Sequence, residues 1–312
     1  MGSPGVLQRN SPVRVVGRAV LKGWDAFWYP PTEAFDLGFA RFLFFGWVFY
    51  STLERDFLIW GGLPEELFYP MPFMELVGYP IVSASTLEIL QTLWRISLVL
   101  GCVGFLTRIA ALTGSILTGY LWTLIYGYTQ EAHGSIALIF SMLVLAVARS
   151  GDAFSIDSLL VQSRNRIGAS PDYGWPGRLI SCIYVLMFFA AAVTKITNSG
   201  FTWGLQAMTD IFSRSRLRAS PSRMRLIDFM LDHLPMHWIG TGALLLELAA
   251  PLALFGGVLR VVVLLSLIVM QLVIFHTMGL DFRPTFGLIP FFVPWTRVRR
   301  TLFAKVKKVV SR

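Results

Sequence analysis

The sequence predicts an all-α fold: a polytopic integral membrane bundle of about eight transmembrane helices. Three observations predict it. Of the 312 residues, 55% are hydrophobic and only 14% are charged, where a soluble domain carries about a quarter charged residues. The mean hydropathy is +0.62. Several runs of roughly 18–20 mostly apolar residues are each long enough to cross a hydrocarbon core of about 30 Å.

The elements follow in order. Residues 1–35 form a basic segment carrying Arg9, Arg14, Arg18 and Lys22. They hold no uninterrupted apolar stretch with a small-residue cleavage site, so a cleavable signal is not expected. Candidate spans cover 36–53, 86–106, 109–128, 133–150, 178–197, 239–257, 260–277 and a shorter 284–296. Prolines at 284, 290 and 294 predict a broken or re-entrant last span. Glycines and prolines of 168–177 punctuate the longest loop. One membrane domain, 36–297, fills the chain, and 298–312 form a basic tail. No internal repeat is visible.

Charge placement sets the expected orientation. Both termini are basic, so both are expected in the cytoplasm, which requires an even number of spans. Arg108, Arg149, Arg178 and Arg260 then fall on the same side, and the acidic 54–85 loop falls outside. "SRSRLRASPSRMR" (213–225) carries five arginines yet lands outside, a departure from the rule. Arg214, Arg216 and Arg218 there are candidates for binding carboxylate or phosphate groups, which guanidinium takes in bidentate fashion. The net charge of +9 is read as loops facing anionic headgroups. Nucleic acid is not an expected partner, because no base-reading motif or basic–aromatic alternation occurs. Cys102 and Cys182 are read as free buried thiols, and no metal-ligand spacing occurs.

Ionisable groups in apolar runs are the candidate site residues. Lys195 ends span five, His133 opens span four and His276 closes span seven, all toward the outer face. Singly, such residues snorkel or sit at the interface. Together they suggest a site. Desolvation at a span end disfavours an ammonium, so an amine there can accept a proton that a surface lysine would not. Arg95 and Glu247 each lie about ten residues in from a span end, roughly 15 Å deep at 1.5 Å per residue. A structural Arg95–Glu247 ion pair is expected, with Arg41 as the fallback partner. Trp203, His237 and Trp238 form an outer aromatic belt with candidate substrate contacts.

Ordered segments of the chain resemble the HTTM family, which contains vitamin K-dependent gamma-carboxylase and bacterial membrane proteins. "FFAAAVTKITNSGFTWGLQ" (188–206) resembles the family's lysine-bearing segment. "GFARFLFF", "LGCVGFLTRIA", "EAHGSIALIFSMLVLAVARSGDAFSIDSLL", "MHWIGTGALLLELAAPLALF" and "FHTMGLDFRPTFGLIPF" resemble other family segments in the same order. The likeness covers about residues 36–297. It implies reduced vitamin K or menaquinone as cofactor, with O2 and CO2 as co-substrates and no metal. The motif lysine deprotonates the hydroquinone, oxygen adds, and the stronger base so formed strips a proton from a glutamate γ-carbon that then captures CO2. Carried over, the base is Lys195, and the family's histidine positions fall on His133 and His276. A bacterial plasma membrane location and a secreted or membrane peptide substrate are implied.

Two departures stand beside the likeness. The family's double lysine is Thr194-Lys195 here. The carboxylase also carries a large non-cytoplasmic domain after its spans, whereas this sequence runs about fifteen residues past the last one. Quinone chemistry is therefore expected more than propeptide-directed carboxylation. Two other classes remain open: a non-enzymatic membrane partner for maturation or export of a secreted peptide, and a small transporter using Arg95 and Glu247.

Overall fold

The computed structural model describes residues 21–70, 72–129, 134–160 and 168–310. Its longer helices are α1 (Ala34–Ser51), α2 (Ala84–Val103), α3 (Thr107–Thr129), α4 (Ser135–Val147), α5 (Pro171–Ser199), α6 (Trp203–Arg216), α7 (Pro221–His233), α8 (Met236–Ala249), α9 (Gly257–Met278) and α10 (Trp295–Val310). A 3-10 segment, Ala250–Phe255, prolongs α8, and another, Arg283–Phe292, precedes α10. Among the described residues the only β feature is an isolated bridge, Thr32 to Ser170.

Five helices are long and apolar enough to cross a membrane: α2, α3, α5, α8 with its 3-10 extension (Met236–Phe255), and α9. In α9 the most apolar window is only 22% buried inside the protein. A helix apolar all round must be covered on every side. Val261, Val262, Leu265 and Val269 face away from the bundle, so lipid covers them. The chain is an integral membrane protein.

Local chemistry fixes the helix ends. Ser83 caps α2, its Oγ accepting from the Thr86 N–H at 3.3 Å. Gly104 ends α2 at φ +70°, where a side chain would strain the backbone. Ser170 caps α5, with Pro171 at its first position. The stretch 168–177 was expected to be loop, and from Pro171 onward it is the opening of α5 instead. A Cβ on Gly174 would stand 1.8 Å from the Pro30 carbonyl oxygen. That glycine marks a close approach rather than a break.

The expected span 284–296 is broken, as its prolines predict. Pro284 and Pro290 remove backbone donors, and the segment Arg283–Phe292 winds as a 3-10 helix. It runs along α1 in the reverse direction, from the Trp47 indole on the Arg283 carbonyl (2.8 Å) past Phe44 beside Gly287 to Asp36 beside Thr296, with Leu288 and Phe292 buried.

Arg41 ties one end of the bundle together. It is fully buried on the inward face of α1, between Leu37 and Phe44. Its guanidinium donates to the carbonyls of Gly101, Cys102 (3.0 Å), Ser150 (3.1 Å) and Phe154 (2.6 Å). The first two belong to the last turn of α2, whose carbonyls have no partner within the helix. Asp157 completes the junction. It accepts from the N–H groups of Leu106 (2.9 Å) and Thr107 (2.8 Å) and from the Thr107 hydroxyl (2.6 Å), capping α3 from another segment. Burial alone would raise the Asp157 carboxyl. The Thr107 and Leu106 hydrogen bonds and the Arg41 charge outweigh it and hold the group below the ordinary aspartate range.

At the other end, Arg95 donates to the carbonyls of Leu53 (3.3 Å) and Arg55 (3.0 Å), just beyond α1. Arg55 pairs with Asp281 at 2.9 Å, and Arg283 pairs with the same carboxylate at 2.8 Å. Beside this, α6 and α7 form a polar hairpin on α8 and α9. Its own small core holds Met208, Phe212, Ile227, Met230 and Met236.

Candidate functional site

Lys195 and Glu247 meet inside the bundle. On α5, Tyr184, Phe188 and Ala192 are buried at spacings of four and four, and Lys195 follows three residues later on the same helical face. On α8, Met236, Gly240, Leu244 and Glu247 repeat the spacing four, four, three, and all four are buried. The two inward stripes run together because α5 packs on α8. The Lys195 Nζ lies 2.6 Å from each carboxylate oxygen of Glu247.

The expected Arg95–Glu247 pair is therefore corrected, and so is the Arg41 fallback. Equal depth along two helices does not make them neighbours. Arg95 sits on α2, which packs on α1 and α3, whereas α8 packs on α5, α6 and α9. Arg95 and Arg41 both satisfy backbone carbonyls at helix ends instead.

Trp203 closes one side of the pair. Its ring lies 4.4 Å from the Lys195 Nζ, within cation–π range. A close helix crossing holds it there: a Cβ on Gly240 would stand 2.3 Å from the Gly204 carbonyl oxygen. The exposures differ between the partners. The Lys195 side chain is 25% exposed and that of Glu247 7%. A molecule arriving from outside meets the amine first, with the carboxylate behind it.

The other expected site residues are more scattered. His276 lies exposed near the end of α9, its ring 5.1 Å from Phe275. Among the described residues nothing links it to Lys195 or Glu247. His133 lies outside the described residues. His237 and Trp238 are exposed at the start of α8, their rings 5.5 Å apart. Arg214, Arg216 and Arg218 are exposed at the α6–α7 turn, and Arg216 is held by Asp228 across the hairpin. Both cysteines are free thiols. Among the described residues no group of three or more metal-ligating side chains gathers.

Glu247 as the partner of Lys195 was missed in the sequence, although the matching stripes on 184–195 and 236–247 carried the signal. What the centre can do chemically follows from unequal burial, with the carboxylate deep and the amine partly exposed. A charge taken out of water loses solvation, and the carboxylate bears most of that cost. Passage of one proton from ammonium to carboxylate removes both charges at once and leaves a neutral amine on the exposed side. No family model matches the chain, no curated protein matches it, and no solved structure matches its fold.

Proposed function

We infer that the chain is a vitamin K-dependent gamma-carboxylase-like membrane enzyme acting on a quinol, with Lys195 as the proton acceptor. One observation carries it: a partly exposed amine on a membrane helix, backed by a buried carboxylate that can hold its proton. The resemblance of 188–206 to the family's lysine-bearing segment supports the same assignment.

The residues fit such a group. Trp203 offers a flat aromatic face beside the amine. Phe189, Val193 and Leu245 are exposed on the outward faces of the same two helices, the side from which a lipid-borne ring would approach. Reduced vitamin K or menaquinone, when bound, supplies the electron pair that reduces O2, with CO2 as co-substrate for a glutamyl side chain of a peptide. Lys195 takes the phenolic proton at Nζ after passing its own to Glu247. Glu247 holds that proton away from solvent, and Trp203 orients the amine.

The expected topology belongs to this proposal: eight crossings, both termini in the cytoplasm of a bacterial cell, and Lys195 toward the outer side. Exposed Arg214 and Arg218 at the α6–α7 turn would then meet anionic headgroups or an acidic peptide from outside. The test is turnover. Purified protein in lipid should convert reduced menaquinone or vitamin K to its epoxide under oxygen. A protein that binds neither and turns over neither would leave Lys195–Glu247 as a structural pair.

A further inference from the structure

At the end of the bundle where α1 begins and α10 starts, a cavity of about 500 Å³ opens between α1, α5 and the 3-10 segment 283–292. Ligand sites commonly span roughly 300–1,000 Å³. Four guanidiniums line it, Arg178, Arg260, Arg297 and Arg300, against two carboxylates, Glu33 and Asp36. Both carboxylates are already engaged. Asp36 accepts from the Thr296 N–H and hydroxyl, each at 2.7 Å, and Glu33 pairs with Arg300.

The guanidiniums of Arg178 and Arg260 donate to backbone carbonyls, and Arg178 also lies 4.8 Å from the Phe27 ring. Arg178 donates to Phe27 (3.0 Å) and Leu254 (3.3 Å). Arg260 donates to Ala253 (3.0 Å), Phe292 (2.9 Å) and the same Leu254 (3.4 Å). Among the described residues neither meets a carboxylate, and Arg297 has no side-chain partner. Carbonyl dipoles orient these guanidiniums but carry no net charge. Two cations drawn to one carbonyl repel each other, and each guanidinium has five N–H donors, not all of them used. The lining carries two more guanidiniums than carboxylates.

Apolar side chains close in the chain to the lining residues show where an anion would come from. Phe255 and Val258, flanking the α8–α9 turn, are about four-fifths exposed, and Leu302 and Phe303 on α10 are more than half exposed. Helix α10 alternates this apolar face with Arg297, Arg299, Arg300, Lys305 and Lys307, the pattern of a helix lying in a membrane surface. A basic pocket between membrane helices with apolar flanks suits a lipid headgroup. We propose that this cavity binds a phosphate ester, its phosphate held by Arg178, Arg260 and Arg297. Those apolar side chains take the chains of a phospholipid.

Native mass spectrometry of the full chain in detergent tests it, with phosphatidylglycerol and phosphatidylcholine as probes. Phosphatidylglycerol should be retained selectively. Arg260→Gln should weaken retention about tenfold, the loss of one charge-assisted contact. Arg297→Gln is a safer variant, since that exposed side chain holds nothing in the fold, and it should weaken retention as well. Arg108→Gln, at an exposed side chain outside the cavity lining, should change nothing. Excess glycerol phosphate distinguishes the source: lipid retained in its presence assigns the site to headgroups, and lipid displaced assigns it to soluble phosphate esters. Phosphatidylcholine retained equally, or both site variants binding both phosphate probes as wild type does, would overturn the proposal.

Discussion

The Lys195 amine sits 2.6 Å from both carboxylate oxygens of Glu247, although the two residues are 52 positions apart in the chain. Burial is unequal, with the carboxylate deeper. That inequality sets the first expectation. Lys195→Ala leaves a buried anion without a partner and should destabilise the protein by roughly 3 kcal/mol, the low end for a broken buried pair because the lysine is partly exposed. Lys195→Met with Glu247→Met should cost clearly less, since no charge remains. Thermal unfolding in one detergent measures both. A double variant less stable than Lys195→Ala would contradict the isolated-pair picture.

A second expectation concerns the crossing that carries Trp203. Gly240 meets the Gly204 backbone with no room for a side chain. Gly240→Val should push α6 off α8 and cost about 1–3 kcal/mol or more through overpacking. Tryptophan emission should shift as Trp203 leaves the Lys195 amine. An unchanged spectrum in a folded Gly240→Val protein would mean that the crossing does not position the ring.

Asp157 gives a pH dependence with a definite sign. Its folded carboxyl is held below the ordinary range, so it adds stability that is full above the unfolded value near 4. That stability drains away as pH falls through the still lower folded value. Asp157→Asn should therefore be less stable than wild type at neutral pH, and the gap should narrow only in the acid range. A gap that stays constant down to acid pH would remove Asp157 as a charged cap of α3.

The helices were legible in the sequence and much of their pairing was not. Runs of apolar residues mark α2, α3, α5, α8 and α9 because membrane length demands them. The opening of α5 was misread because Pro171, Gly174 and Pro176 resemble loop punctuation, although Pro171 in the first turn loses no bond and the helix carries Pro176 in its interior. The Glu247 partner was missed because depth was counted from span ends, and such a count does not say which helices touch. Arg41 was offered to a carboxylate when its place is the carbonyls of Gly101, Cys102, Ser150 and Phe154. Those carbonyls belong to two of the other segments on which the family resemblance rests. Arg41 brings three such segments to one junction, a relation that becomes visible only in the folded chain.

Topology admits a direct check. Cysteines placed at Ser3 and Ser311, in an otherwise cysteine-free chain, should both be shielded from an impermeant label added outside intact cells. Labelling of one terminus alone would require an odd number of crossings and bring the arginines of 213–225 to the inner side.

Lys195 as proton acceptor is tested most directly by quinol-dependent epoxide formation in Lys195→Arg, reconstituted beside wild type. Arginine keeps a positive charge for Glu247 and for the Trp203 ring, so folding should survive. Guanidinium does not give up its proton, so turnover should fall by about 100-fold or more, the usual scale for losing a general base. If Lys195→Arg turns over as wild type does, only a cation is needed at that position, and Lys195 is not the base.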